Sequence, residues 1–167
     1  MDNQLVTLWS WLFPVIYLLH IAEEHWGGGG YCAHLAHAKG VRLTQRRFLF
    51  LTGMGLVLMI AGLRLAAWYK FPQLLLVILG SLLLANGLSH AWSGVREGRY
   101  HPGLVSGVFV WIPTGLLTLI SLAGDMRWPR YLAGMALGLA IQVIVSWLSL
   151  SGGKITATKA SAFPPGV

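Results

Sequence analysis

Long apolar stretches alternate with short polar segments along this chain, the stretches falling at about 5–24, 48–69, 73–92, 103–123 and 131–150. Each reaches the roughly 20 residues that an α-helix needs to cross the hydrocarbon core of a bilayer. The pattern predicts an all-α, polytopic membrane bundle of five transmembrane helices, forming a single domain over 1–150. The remainder, 151–167, is rich in Gly, Ser, Thr, Lys and Pro and reads as a disordered cytoplasmic tail. The longest connection, 25–47, has room only for a short helix or an ordered loop, so function must lie in the bundle or at its rim.

The polar positions inside this pattern carry the chemistry. The first stretch ends in His20-Ile21-Ala22-Glu23-Glu24. On a helix, His20, Glu23 and Glu24 stand at i, i+3 and i+4 and share one face. Ionisable groups at a membrane boundary are costly and point to function. Asn86 and His90, four apart, share a face of the third helix. Tyr100-His101-Pro102-Gly103 leads into the fourth, Pro102 suiting a helix start where its missing N–H costs nothing.

Composition agrees with the membrane reading: 56% of residues are hydrophobic, 10% are charged, and mean hydropathy is +0.66. No Lys or Arg precedes the first stretch, which therefore reads as a retained anchor helix rather than a signal peptide. The net charge of +7 is spread over several short loops, which argues for membrane topology and against nucleic acid. With the N-terminus outside, Lys39, Arg42, Arg46, Arg47, Arg96, Arg99, Lys154 and Lys159 lie inside, against Arg64, Lys70, Arg127 and Arg130 outside. That bias predicts an N-out, C-in, multi-pass protein of the cell (inner) membrane. All the tryptophans but Trp111 fall near predicted interfaces, where such rings prefer to sit. The single cysteine, Cys32, excludes an intramolecular disulfide and any multi-cysteine metal site.

In this topology His20, Glu23 and Glu24, Asn86 and His90, and Tyr100 with His101 all reach the cytoplasmic level, so helices one, three and four converge on one site. The three segments, His20-x-x-Glu23-Glu24, Asn86-Gly87-Leu88-Ser89-His90 and Arg99-Tyr100-His101-Pro102-Gly103, resemble those of the HXXEE family. This is a group of small bacterial and archaeal membrane proteins named for the His-x-x-Glu-Glu motif and without an assigned function. The resemblance covers about 17–115 and implies an enzymatic role suspected from the polar motifs. His101 belongs to the third of these segments, and no motif follows residue 115.

Two chemistries suit these residues. In the first, His20 and Glu24, at i and i+4, join His90 as ligands of one divalent metal ion, zinc or iron. The spacing is similar to the His-x-x-Glu-His pattern of inverted zinc proteases, with Glu24 in place of the second histidine and Glu23 in the place of the general base. Glu23, Asn86 and Tyr100 are then the expected catalytic residues, with His25 and His101 as further candidates. A four-glutamate di-iron centre is excluded by the acid count, because only Glu23, Glu24 and Glu97 are expected inside. In the second chemistry no metal is needed: a glutamate of raised pKa donates a proton while His20 or His90 accepts one, in an isomerase or cyclase. Either way the expected substrate is a lipid or other hydrophobic small molecule met at the cytoplasmic leaflet, for hydrolysis or redox chemistry in the metal case.

Other readings stand beside these. A small transporter or ligand-binding membrane protein would also bury ionisable groups, although no inverted repeat is evident. Glu23 and Glu24 would be merely solvated if paired with Arg46 or Arg47, Asn86 and His90 would be interhelical glue, Tyr100 an interface anchor, and His34 and His37 solvent-facing loop residues. The small-xxx-small pairs Gly103/Gly107 and Gly134/Gly138 predict close helix packing and leave room for a homo-oligomer.

Overall fold

The computed structural model describes residues 3–151, with side chains from residue 9, and is helical throughout apart from its connections. Helix α1 spans Asn3–Trp26 and runs into a 3-10 turn, Gly27–Gly29. The short α2, Tyr31–Lys39, precedes α3, Gln45–Trp68, and α4, Pro72–Glu97. Then follow α5, Leu104–Leu122, and α6, Trp128–Leu150. Among the described residues four helices, α3 to α6, are long and apolar enough to cross a membrane. The first expected crossing, α1, is a helix of 24 residues whose last turns carry His20, Glu23 and Glu24.

Local chemistry sets the boundaries. Thr44 caps α3, its side chain accepting from the Arg47 N–H at 3.3 Å. Pro72 and Pro129 occupy first turns, where a missing N–H costs nothing. Helix α4 continues five residues past its apolar stretch and stops at Gly98, whose φ of 61° closes the end. Helix α5 is not uniform: one π-helical turn, Gly107–Trp111, precedes Pro113. Proline cannot donate to the carbonyl four residues back, and a widened turn absorbs that defect.

Helix α4 is the centre of the bundle, in contact with α1, α3, α5 and α6. Its partners approach through glycines. A Cβ on Gly107 would lie 3.6 Å from Gly87 Cα, and one on Gly134 would lie 2.9 Å from the Val77 side chain. A Cβ on Gly138 would strike Ser81 and Ile78. The small-residue pairs of α5 and α6 are thus spent on packing against α4 within the chain, and they lend no support to an oligomer. The core between the helices is built from Phe13, Ile16, Leu76, Leu79, Leu83 and Trp111, while large apolar side chains such as Phe50, Val57 and Val143 face outward. An apolar exterior of this kind fits a lipid bilayer.

At the far end of α1 the chain folds back on itself. Leu35 of α2 packs with Leu43 and Phe48, which fixes α2 across the ends of α1 and α3. Arg47 donates to the Leu148 carbonyl and to Ser151 Oγ, both at 2.8 Å, and so ties α3 to the end of α6. It is therefore spent on α6, away from Glu23 and Glu24. The expected disordered tail falls, beyond Ser151, outside the described residues.

Candidate metal centre

The helical spacing of His20 and Glu24 brings His20 Nε2 to 3.7 Å from Glu24 Oε1. His90, on α4, places its Nε2 at 3.5 Å from the same oxygen. All three residues are buried, at 1%, 7% and 6% exposure, and one ligand atom from each lies within 4.8 Å of the others. Around a single zinc ion, ligand atoms at about 2.0–2.1 Å stand about 3.3–3.4 Å apart in a tetrahedron. The two His–Glu separations, 3.7 and 3.5 Å, come close to that spacing.

The adjacent carboxylate has a different role. Glu23 Oε1 accepts from the Val105 N–H at 3.0 Å and from Tyr100 OH at 3.1 Å. Its Oε2 accepts from the Ser106 N–H at 2.7 Å and from Ser106 Oγ. Glu23 thus caps the first turn of α5, whose free N–H groups and dipole favour a negative charge there. Burial and then the charge of Glu23 raise the pKa of Tyr100, which keeps it a donor.

This cap reaches the histidine through one hydroxyl. Ser106 Oγ gives its only proton to the carboxylate of Glu23, so at its 2.7 Å contact with His20 Nδ1 it must accept. That fixes the Nδ1–H tautomer of His20 and leaves Nε2 a bare lone pair. Nε2 is buried and has no hydrogen-bond partner. A carboxylate, hydroxyl and imidazole in series is the arrangement that orients a ligand histidine toward a metal. The bare Nε2 of His20 and the carboxylate oxygen it faces repel one another unless a cation or a proton lies between them.

The ring of His20 is held on its other sides as well. Trp111, in the π-helical turn, lies over it with centroids 3.9 Å apart and donates its indole N–H to the Ile16 carbonyl at 3.3 Å. Gly103, with φ of 87°, lies under both imidazoles, and a Cβ there would come to 2.5 Å from His90 Cε1 and 3.0 Å from His20 Cε1. Only glycine combines that left-handed backbone with that clearance.

The other expected site residues are distributed around this centre. His101 is buried with its ring stacked between His90 and His34, at 5.3 and 5.0 Å. Its two nitrogens face the carbonyls of Pro102 and His90, at 3.1 and 3.0 Å, so it buttresses His90. His25 turns toward α3, where Nδ1 meets Gln45 Nε2 at 2.6 Å. Asn86 shares the α4 face of His90 but bonds across to α6, its Nδ2 donating to Gln142 Oε1 at 3.3 Å. Of the two loop histidines, His37 is exposed as expected. His34 is turned inward against Glu97 at 3.5 Å, and burial, which Glu97 partly offsets, lowers its pKa. Burial also pushes the Cys32 thiol up to about 11.

Sequence reasoning missed two members of the site, Ser106 and Trp111. The depth of Trp111, away from the interfaces favoured by the other tryptophans, was a signal. A serine in an apolar helix carries none.

These helices and this cluster define a protein of membrane-type helices built around a buried His/Glu group. Residues 11–118, more than half of the chain, match the family described as "Protein of unknown function with HXXEE motif", and the chain belongs to that family. No curated protein and no solved structure matches it.

Proposed function

We propose that this chain is a five-helix membrane protein, with its N-terminus outside and the cluster at the cytoplasmic leaflet. In this reading His20, Glu24 and His90 hold one divalent metal ion, zinc or iron, for chemistry on a lipid or similar hydrophobic substrate. The observation that carries the reading is His20 Nε2, a buried lone pair with no hydrogen-bond partner, aimed at Glu24 and His90. Two imidazoles and one carboxylate form a donor set used both by hydrolytic zinc and by non-haem iron, and it leaves coordination positions open for water or substrate. An ion bound there would polarise an oxygen of the substrate or lower the pKa of a bound water. Glu23, with Tyr100 and Ser106, orients His20. This is a positioning role, and its carboxylate oxygens are already engaged by four donors.

A second reading takes the same geometry without metal: a proton shared between Glu24 Oε1 and the two Nε2 atoms, serving acid–base chemistry. Metal analysis of protein purified in detergent separates the two. The metal reading predicts about one zinc or iron per chain in wild type and less than a tenth of that in His20→Ala. Wild type with no stoichiometric metal after reconstitution with zinc and with iron leaves the shared proton as the occupant.

A further inference from the structure

The His/Glu cluster forms one end of a longer space. A cavity of about 480 Å³ extends from it between α1, α3, α4 and α6, within the range of ligand sites, about 300–1,000 Å³. Its α4 wall changes character along its length. Ser93, His90, Ser89 and Asn86 lie at one end, then Leu82, Leu79, Ile78 and Leu75. From His90 to Leu75 the wall is about 22 Å long at 1.5 Å per residue. One leaflet of a bilayer core is roughly 15 Å deep. Opposite the apolar end stand Leu58 and Met59 of α3, while α6 lines the polar end with Gln142, Ser146 and Ser149 among Ile141 and Val145. The polar groups met at depth are already satisfied: Tyr17 OH donates to the Thr52 carbonyl, and Thr52 Oγ1 to the Phe48 carbonyl. That end asks for a hydrocarbon chain.

One group between the two ends is not satisfied. Asn86 lies one helical turn from His90 toward the apolar end, about 6 Å along the axis. Its Nδ2 is held by Gln142, whose Nε2 in turn donates to Ser146 Oγ at 3.2 Å. Its Oδ1 is buried and accepts nothing. A buried acceptor without a donor is costly, and the lack of a protein donor points to one brought by the ligand.

We propose that this cavity binds a single-chain amphiphile that carries an acidic or carbonyl group at one end, a hydrogen-bond donor a few bonds along, and an unbranched hydrocarbon tail. The end group meets the His20–Glu24–His90 centre, the donor meets Asn86 Oδ1, and the tail lies against Leu82, Leu79 and Leu75. A 3-hydroxy fatty acid has this pattern. The proposal deepens the metal reading by naming its substrate class, and it rests on that reading only for the end group.

The test compares 3-hydroxypalmitic acid with palmitic acid, which differ by one hydroxyl, in equilibrium binding to the detergent-purified full chain. Wild type is expected to bind the hydroxy acid on the order of tenfold more tightly, the worth of one buried hydrogen bond. Asn86→Leu is expected to remove that preference, while Leu79→Trp, which fills the apolar end, weakens both acids alike. Glu24→Gln is expected to weaken both acids and keep the preference, so a failed metal centre and a failed donor site give different results. Equal affinity of wild type for the two acids, binding of neither, or a preference that survives Asn86→Leu overturns the proposal.

Discussion

Glu23 and Glu24 are neighbours in sequence, yet they occupy opposite kinds of environment. Glu23 faces α5, where two backbone N–H groups, a phenol and a hydroxyl satisfy it. Glu24 faces α4 and meets two imidazole nitrogens, at 3.7 and 3.5 Å, one of which has no hydrogen-bond partner. A helix turns about 100° per residue, so adjacent carboxylates address different neighbours. The difference separates the doubled glutamate by surroundings: one carboxylate caps α5, and the other belongs to the buried His/Glu cluster.

Substitutions that touch the two environments separately sharpen this contrast. The largest effect is expected from Ser106, where the two meet. Ser106→Ala leaves His20 Nδ1–H without an acceptor and frees its tautomer. Affinity for zinc, read by competition with a chelator, is expected to fall about 10–100-fold, the usual cost of losing a residue that orients a metal ligand. Unchanged affinity would mean that Trp111 and Gly103 alone orient the ring. A smaller effect, on stability first, is expected from Glu23→Ala. It removes the acceptor of the first turn of α5 and should cost about 1–2 kcal/mol, as lost helix caps do. A lowered midpoint in thermal melts of the detergent-solubilised protein checks this. A Glu23→Ala protein that melts like wild type would mean that the first turn of α5 does not depend on this carboxylate.

Much of this contrast was legible in the sequence, for reasons of periodicity. The i, i+4 spacing of His20 and Glu24 and the order of apolar stretches bring His90 to the same level without any knowledge of packing. Periodicity also put Glu23 on the face of His20, but its partner depends on where the chain bends at Gly103 before α5 starts. That bend is set by a left-handed backbone and by two imidazoles pressing on the glycine, contacts that no spacing rule contains. Ser106 and Trp111 were hidden for a related reason. The π-helical turn at Gly107–Trp111 shifts the register of α5, so an ideal helix drawn from Pro102 does not say which of its side chains face His20. Asn86 was correctly placed on the face of His90, while its bond to Gln142 required knowing that α6 packs on α4. Helix α2 filled the 25–47 connection as its length allowed. Its inward-facing His34 depends on the packing of Leu35 against Leu43 and Phe48.

The central claim is that His20, Glu24 and His90 share one ion, and X-ray absorption at the edge of the metal bound by the purified protein tests it most directly. The account predicts a first shell with two imidazole nitrogens and at least one carboxylate oxygen, the nitrogens at about 2.0–2.1 Å if the ion is zinc. In His90→Ala the imidazole contribution should fall to one, or the metal should be lost. A shell without imidazole, or one that His90→Ala leaves unchanged, would contradict it.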